Sequence, residues 1–328
     1  MRLPHAWSAR LAIALAMAML AAPAAVHAKK DTGKADERPF IEQSLIAAPK
    51  RIGEFELEGH RYDPDNKSAG VAFRYRLPAH PELRIDLFVY PAGQMPEQEA
   101  VKAGMEPFLA TLEEAVRQQY YDRFELVGRD AFEIVPAVKG DTVKPDAIQS
   151  DAAAQASDQA QDDGAQDESS QELETLLSAM ATQPIRGERL DLRYRMPMGF
   201  DEPVPMHSRG YLFYRQLYYF KGRLTATEAA IGREEFAALA DRAVREIVPA
   251  IQARHVGGCA QHTININTAA VDAEQDDSLI MRELAGSLMQ MSGKNCYDTI
   301  DKARQPIPDG TETVVIAFDP DDWGTGTP

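Results

Sequence analysis

The amino-acid sequence predicts an α+β fold: an antiparallel sheet of about six to seven strands with helices packed on one side, plus a small C-terminal extension. Three observations carry that expectation. Short segments rich in Phe, Tyr, Val and Leu alternate apolar with polar residues and are divided by Pro- and Asp-containing turns, as the strands of a meander are. Two longer segments place apolar residues at helical spacing instead. The order is three strands, helix, strand, polar insertion, three strands, helix, which suits an antiparallel sheet covered by helices.

Residues 53–62, 69–77 and 84–90 read as the first three strands, with turns at Asp63-Pro64-Asp65-Asn66 and between Pro78 and Pro81. Residues 97–121 then place Val101, Met105, Phe108, Leu109, Leu112 and Val116 on one helical face, while Gly104 and Pro107 point to a broken or late start. Residues 123–135 form a fourth strand. Residues 139–172 contain no aromatic side chain, and Asp141 to Glu168 holds eight acids and one lysine, so this stretch reads as a disordered acidic insertion. Its functional alternative is an acidic docking tail for a basic partner. A short helix at 174–180 precedes strands at 188–196, 208–215 and 218–226.

The clearest helix is 233–248, where Phe236, Leu239, Ala240, Ala243, Val244 and Ile247 form one stripe. Glu234 and Glu235 stand at the positive end of its dipole and Pro249 marks its stop. The aromatic run from Tyr211 to Phe220 is apolar on both faces, as expected of a central strand pair, with an aromatic contact platform as the alternative. Residues 253–328 make up the extension, with a helix at 272–291 carrying Leu279, Ile280, Leu284 and Leu288, a stop at Gly293 and a strand at 313–318.

Residues 1–28 read as a secretory signal peptide, with Arg2 and Arg10 before a short apolar run and Val26-His27-Ala28 as the cleavage site. No later segment approaches the roughly 20 apolar residues of a membrane helix, so the expected location is the periplasm or the exterior. Cleavage near Ala28 removes two arginines and no acids, taking the formal charge from −16 to −18, which argues against a nucleic-acid binder. The mature chain divides into a domain at 40–252, interrupted by the insertion, and the extension. Cys259 and Cys296 are the only two cysteines, and in an oxidising compartment they pair as a disulfide that staples the extension.

One stretch recurs. Phe73-Arg74-Tyr75-Arg76-Leu77-Pro78 returns as Leu192-Arg193-Tyr194-Arg195-Met196-Pro197, with the aromatic and aliphatic residues on one strand face and the arginines on the other. The plain reading is one hairpin device used twice. The sharper reading joins Arg74, Arg76, Arg193 and Arg195 with Arg84 or Arg209 into a basic patch for an acidic protein, an anionic headgroup or a cell-wall polymer, provided the two strands are neighbours.

Chemistry is otherwise sparse. The sequence lacks G-x-S-x-G, S-x-x-K, H-E-x-x-H and phosphate-loop spacings. His255, Cys259, His262 and Cys296 form the one zinc-type constellation, with irregular spacing that competes against the disulfide. The turns Asp63-Pro64-Asp65-Asn66 and Asp319-Pro320-Asp321-Asp322 offer oxygen ligands without a full calcium loop. The expectation is therefore no cofactor and no metal.

In element order, in the Tyr90-Pro91 strand end and in the final helix, residues 40–252 resemble the PsbP/Mog1-like group, which includes DcrB-type envelope proteins. That resemblance implies a scaffold used for binding other proteins rather than for catalysis, and it carries no functional residues. The expected function is a non-enzymatic binding or accessory module whose partner is an envelope protein or an anionic ligand. The alternative is an envelope hydrolase using acids such as Asp86 or Asp191. A deep, partly apolar cleft with convergent polar groups would favour the enzyme, and a flat basic or aromatic surface the binding module.

Overall fold

Strands Val204–Arg215 (β8) and Tyr218–Thr227 (β9), which carry the aromatic run, sit in the middle of an eight-stranded antiparallel sheet. The computed structural model describes residues 38–135, 183–197, 202–260, 293–319 and 322. The expected signal peptide, the expected insertion at 139–172 and the helices expected at 174–180 and 272–291 lie outside these residues. Around β8 and β9 the sheet runs β2-β3-β4-β5-β9-β8-β7-β6. Its other strands are Arg51–Ile52 (β2), Phe55–Tyr62 (β3), Val71–Arg76 (β4), Arg84–Pro91 (β5), Arg123–Ile134 (β6) and Ile185–Met196 (β7).

Because opposed residues in an antiparallel pair share a face, the register sorts the side chains. The pairs Arg74↔Asp86, Asp86↔Arg223, Arg223↔Gly210 and Gly210↔Leu190 put these five on one face, with Lys221, Leu212, Leu192 and Tyr194. Phe73, Tyr75, Leu87, Phe220, Tyr211 and Phe213 lie on the other. Both faces of β8 and β9 are apolar, so both need cover.

Helix Glu97–Arg117 (α1) covers the first face over β8, β7 and β6 through Ala100, Met105, Phe108 and Leu112. The helix runs unbroken through Gly104 and Pro107, where the sequence suggests a late start. Gly104 is there for proximity: a Cβ on it would stand 2.7 Å from Leu212 and from Tyr219. Opposite it, a Cβ on Gly210 would meet the Phe108 ring at 2.6 Å. Helix Arg233–Ala250 (α2) lies on the second face, where Phe236, Ala240, Ala243, Val244 and Ile247 join Tyr211, Phe220 and Leu87 in the larger core.

The expectation of helices on one side is thus corrected to one helix on each face, and the sheet has eight strands rather than six or seven. Two-sided apolarity in the central strands is the physical reason.

A second sheet, ordered β11-β10-β1-β12, packs beside α2 on that face. Strand Gln43–Pro49 (β1), which the sequence reading missed, lies between Gln252–Val256 (β10) and Thr311–Ala317 (β12), antiparallel to both. Cys296–Tyr297 (β11) runs parallel to β10, and the helix Ile300–Arg304 (α3) follows it. Residues from both ends of the chain therefore share one sheet. Cys259 and Cys296 are joined by a disulfide, with Cα atoms 5.9 Å apart.

The β8–β9 turn is seated by this sheet. Gln216 and Leu217 both have positive φ, 51° and 61°, as a two-residue hairpin turn that matches strand twist requires. Neither is glycine, and each carbonyl is held: His255 Nε2–H donates to Gln216 O at 2.6 Å and Ala92 N–H donates to Leu217 O at 3.0 Å. The Gln216 side chain also accepts from Ala253 N–H at 2.8 Å.

Candidate functional site

On the first face, α1 leaves the β3–β4–β5 end of the sheet uncovered. A cleft of about 450 Å³ lies there. Its floor is Gly59, Ala72 and Phe88, small or flat residues that leave room above the strands, and its wall is the segment after α1, Gln119, Tyr120 and Tyr121, with the β7 residues Tyr194 and Met196. Arg61, Arg74, Arg84 and Arg223 line it together with Glu58 and Asp86.

Asp86 organises the cations. Arg74 Nε donates to its Oδ1 at 2.8 Å and Arg84 Nε donates to its Oδ2 at 2.5 Å. Both carboxylate oxygens are engaged, and Asp86 itself is buried. Each arginine spends its Nε there, so its terminal nitrogens face the cleft without an ion pair or hydrogen bond among the described residues. Arg223 stands behind them, between the rings of Tyr121 at 5.2 Å and Tyr194 at 5.7 Å, and donates to the Tyr121 hydroxyl. Burial pulls the Arg223 guanidinium down, but Tyr121 and Tyr194 outweigh it and hold the group above its ordinary value. Burial pushes the Tyr194 phenol up. Three guanidinium groups thus surround one carboxylate in a partly apolar cleft, an excess of positive charge in a chain of net −16.

The structure does not gather the six arginines of the echo. Strands β4 and β7 are separated by β5, β9 and β8, and the register puts their arginines on opposite faces. Arg74 and Arg84 enter the cleft, while Arg76 is spent on Glu56 at 2.6 Å. Across the sheet, Arg193 lies 3.8 Å from Glu228, Arg195 donates to the Pro203 carbonyl at 3.0 Å, and Arg209 binds Asp191 and Asp241. Face assignment fails because the motif starts on the opposite side of the pleat in the two strands, and a one-residue phase change moves every side chain across the sheet.

Asp86 and Asp191, the acids of the hydrolase alternative, are likewise on opposite faces, each locked to arginine. The cleft is the feature expected of an enzyme, and its buried acid, Asp86, is held by Arg74 at one oxygen and by Arg84 at the other. Arg223, Tyr121, Phe88 and Thr225 escape sequence reasoning. Arg223 carried one usable signal, a basic residue inside an apolar strand that faces another strand's acid.

The other candidates find local partners. Cys259 and Cys296 are consumed by the disulfide, His255 is buried between Ser44 Oγ at 2.8 Å and Gln216 O, and His262 lies outside the described residues. Of the two acidic turns, the second is bonded by Lys67, the residue that follows the first: its ammonium binds Asp319 at 2.7 Å and Asp322 at 3.1 Å. A cation of the chain itself thus engages two of the acids of that turn. Among the described residues no helix is long and apolar enough to cross a membrane. The chain matches no family model and no curated protein sequence.

Proposed function

We propose that the protein is a binding module of the periplasm or exterior that captures an organic anion, carboxylate or phosphate, with an apolar body. The observation that carries this reading is the Arg74–Asp86–Arg84 unit: two guanidinium forks aimed by one buried carboxylate, with Arg223 behind them and aromatic walls beside them. The PsbP/Mog1-like resemblance belongs to the same proposal, as a scaffold suited to binding.

The test is calorimetric titration of the mature chain with benzoate, phenyl phosphate and their neutral analogues. Saturable heat with the anions, lost in Arg74→Ala/Arg84→Ala and retained in Arg193→Ala/Arg195→Ala, supports the reading. Equal responses of the two double variants, or turnover of a phenyl ester blocked by Asp86→Asn, would overturn it.

A further inference from the structure

The cleft floor holds a glycine that the fold does not call for. Gly59 lies inside β3 with its backbone outside the left-handed region, so no turn or positive φ requires it. A Cβ on it would meet nothing within 4 Å, so packing does not require it either, in contrast to Gly104 and Gly210. The register of β3 on β4 shifts between Leu57 and Gly59, but the bulge that needs glycine has a left-handed residue, and neither Glu58 nor Gly59 is left-handed. A glycine inside a strand weakens it, and close approach of a ligand is the remaining use for one here.

The groups around this opening are cationic. Gly59 is paired with Arg74, and Arg61, next on the same face of β3, is paired with Ala72, so the two smallest floor residues lie on a diagonal between two arginines. Arg61 lines the cleft and, among the described residues, makes no ion pair and no hydrogen bond. Along the lining, the four guanidinium groups of Arg61, Arg74, Arg84 and Arg223 stand against the two carboxylates of Glu58 and Asp86, which leaves two positive charges. His60, also on the lining, lies 3.5 Å from Glu312 outside it. We propose, on the reading of the cleft as an anion site, that its ligand is a phosphate monoester of a flat apolar body, with the phosphate above Gly59 and Ala72 against Arg61 and Arg74 and the body on Phe88. At neutral pH such a phosphate carries close to two charges and three acceptor oxygens on one group, whereas a carboxylate brings one charge and two oxygens. The bare floor gives the tetrahedral group its depth.

The mature chain is titrated calorimetrically at pH 7.5 with phenyl phosphate, with the singly charged benzoate and methyl phenyl phosphate, and with the dicarboxylate isophthalate. We expect phenyl phosphate to bind about tenfold more tightly than either monoanion, because its second charge meets the same guanidinium groups in a partly screened site. Arg61→Ala should narrow that preference. Gly59→Val should melt no lower than the wild type, since the added side chain finds open space, and should weaken phenyl phosphate at least about tenfold by filling the seat. Gly59→Ala, a smaller fill of the same space, should fall between the two. Monoanions that bind as tightly as phenyl phosphate leave the anion site standing and overturn the phosphate class, as does isophthalate of equal affinity. Wild-type affinity in both glycine variants overturns the seat above Gly59. No saturable heat with any of the four anions overturns the anion site and this proposal together.

Discussion

Asp86 holds the cleft's arginines, and a single-atom change addresses it. Asp86→Asn removes the charge that satisfies Arg74 and Arg84 and leaves two partly covered guanidinium groups repelling each other. Hydrogen bonds to charged groups contribute about 1.5–3 kcal/mol, and partial exposure of the arginines puts the expected loss near the lower end, about 2 kcal/mol by urea unfolding. Arg76→Ala, which breaks an exposed pair with Glu56, should cost less than about 1 kcal/mol in the same assay.

His255 makes the second residue-scale prediction. Burial lowers its imidazole to about 4, against an ordinary value near 6.5, because a neutral ring suits the enclosed site between Ser44, Gln216 and Tyr218. The folded pKa is below the unfolded one, so the unfolded chain gains its proton first as pH falls. Stability from this group is complete above about pH 6.5 and declines between 6.5 and 4, by up to ~3 kcal/mol. Urea midpoints at pH 7, 5.5 and 4.5 should show the decline, and His255→Gln should flatten it. A wild-type profile no steeper than that of the variant would remove His255 from the account.

At the level of elements, the glycines report how closely each helix lies on the sheet. Gly210→Ala pushes a methyl into the Phe108 ring, where 2.6 Å is far inside contact distance, so α1 must shift at a cost of about 1–3 kcal/mol. Gly222→Ala, on the α2 side, meets Val244 at 3.5 Å, an ordinary contact, and should be within about 0.5 kcal/mol of neutral. Thermal melts of the two variants make the comparison. Strand and helix positions near these glycines were largely legible in the sequence, because alternation and the 3.6-residue stripe are local signals. Gly104 misled because its local meaning, a helix breaker, is opposite to its tertiary one, close approach to Leu212 and Tyr219.

For the whole molecule, the second sheet ties the first described strand to the last. β1 must wait for β10 and β12, more than two hundred residues away in sequence, a costly closure that its partners' hydrogen bonds and the Ile46–Ile316 core repay. The disulfide closes a separation of 37 residues beside β10. Replacing both cysteines with serine should lower stability by roughly 4 kcal/mol in the chain-entropy account, measured under non-reducing conditions, with the larger sheet's cleft still formed.

The sequence by itself determined the short-range order: alternating strands, two amphipathic helices, the buried aromatic pair at the sheet centre and a cysteine pair suited to an oxidising compartment. Those features depend on residues within a few positions of one another, or on composition. Only the tertiary structure decided which face each echo arginine occupies, since face depends on strand phase and register across four intervening pairings. It also decided that Arg223 joins Arg74 and Arg84 around Asp86, because a site assembled from separate strands is a property of their pairing and leaves no periodic trace along the chain.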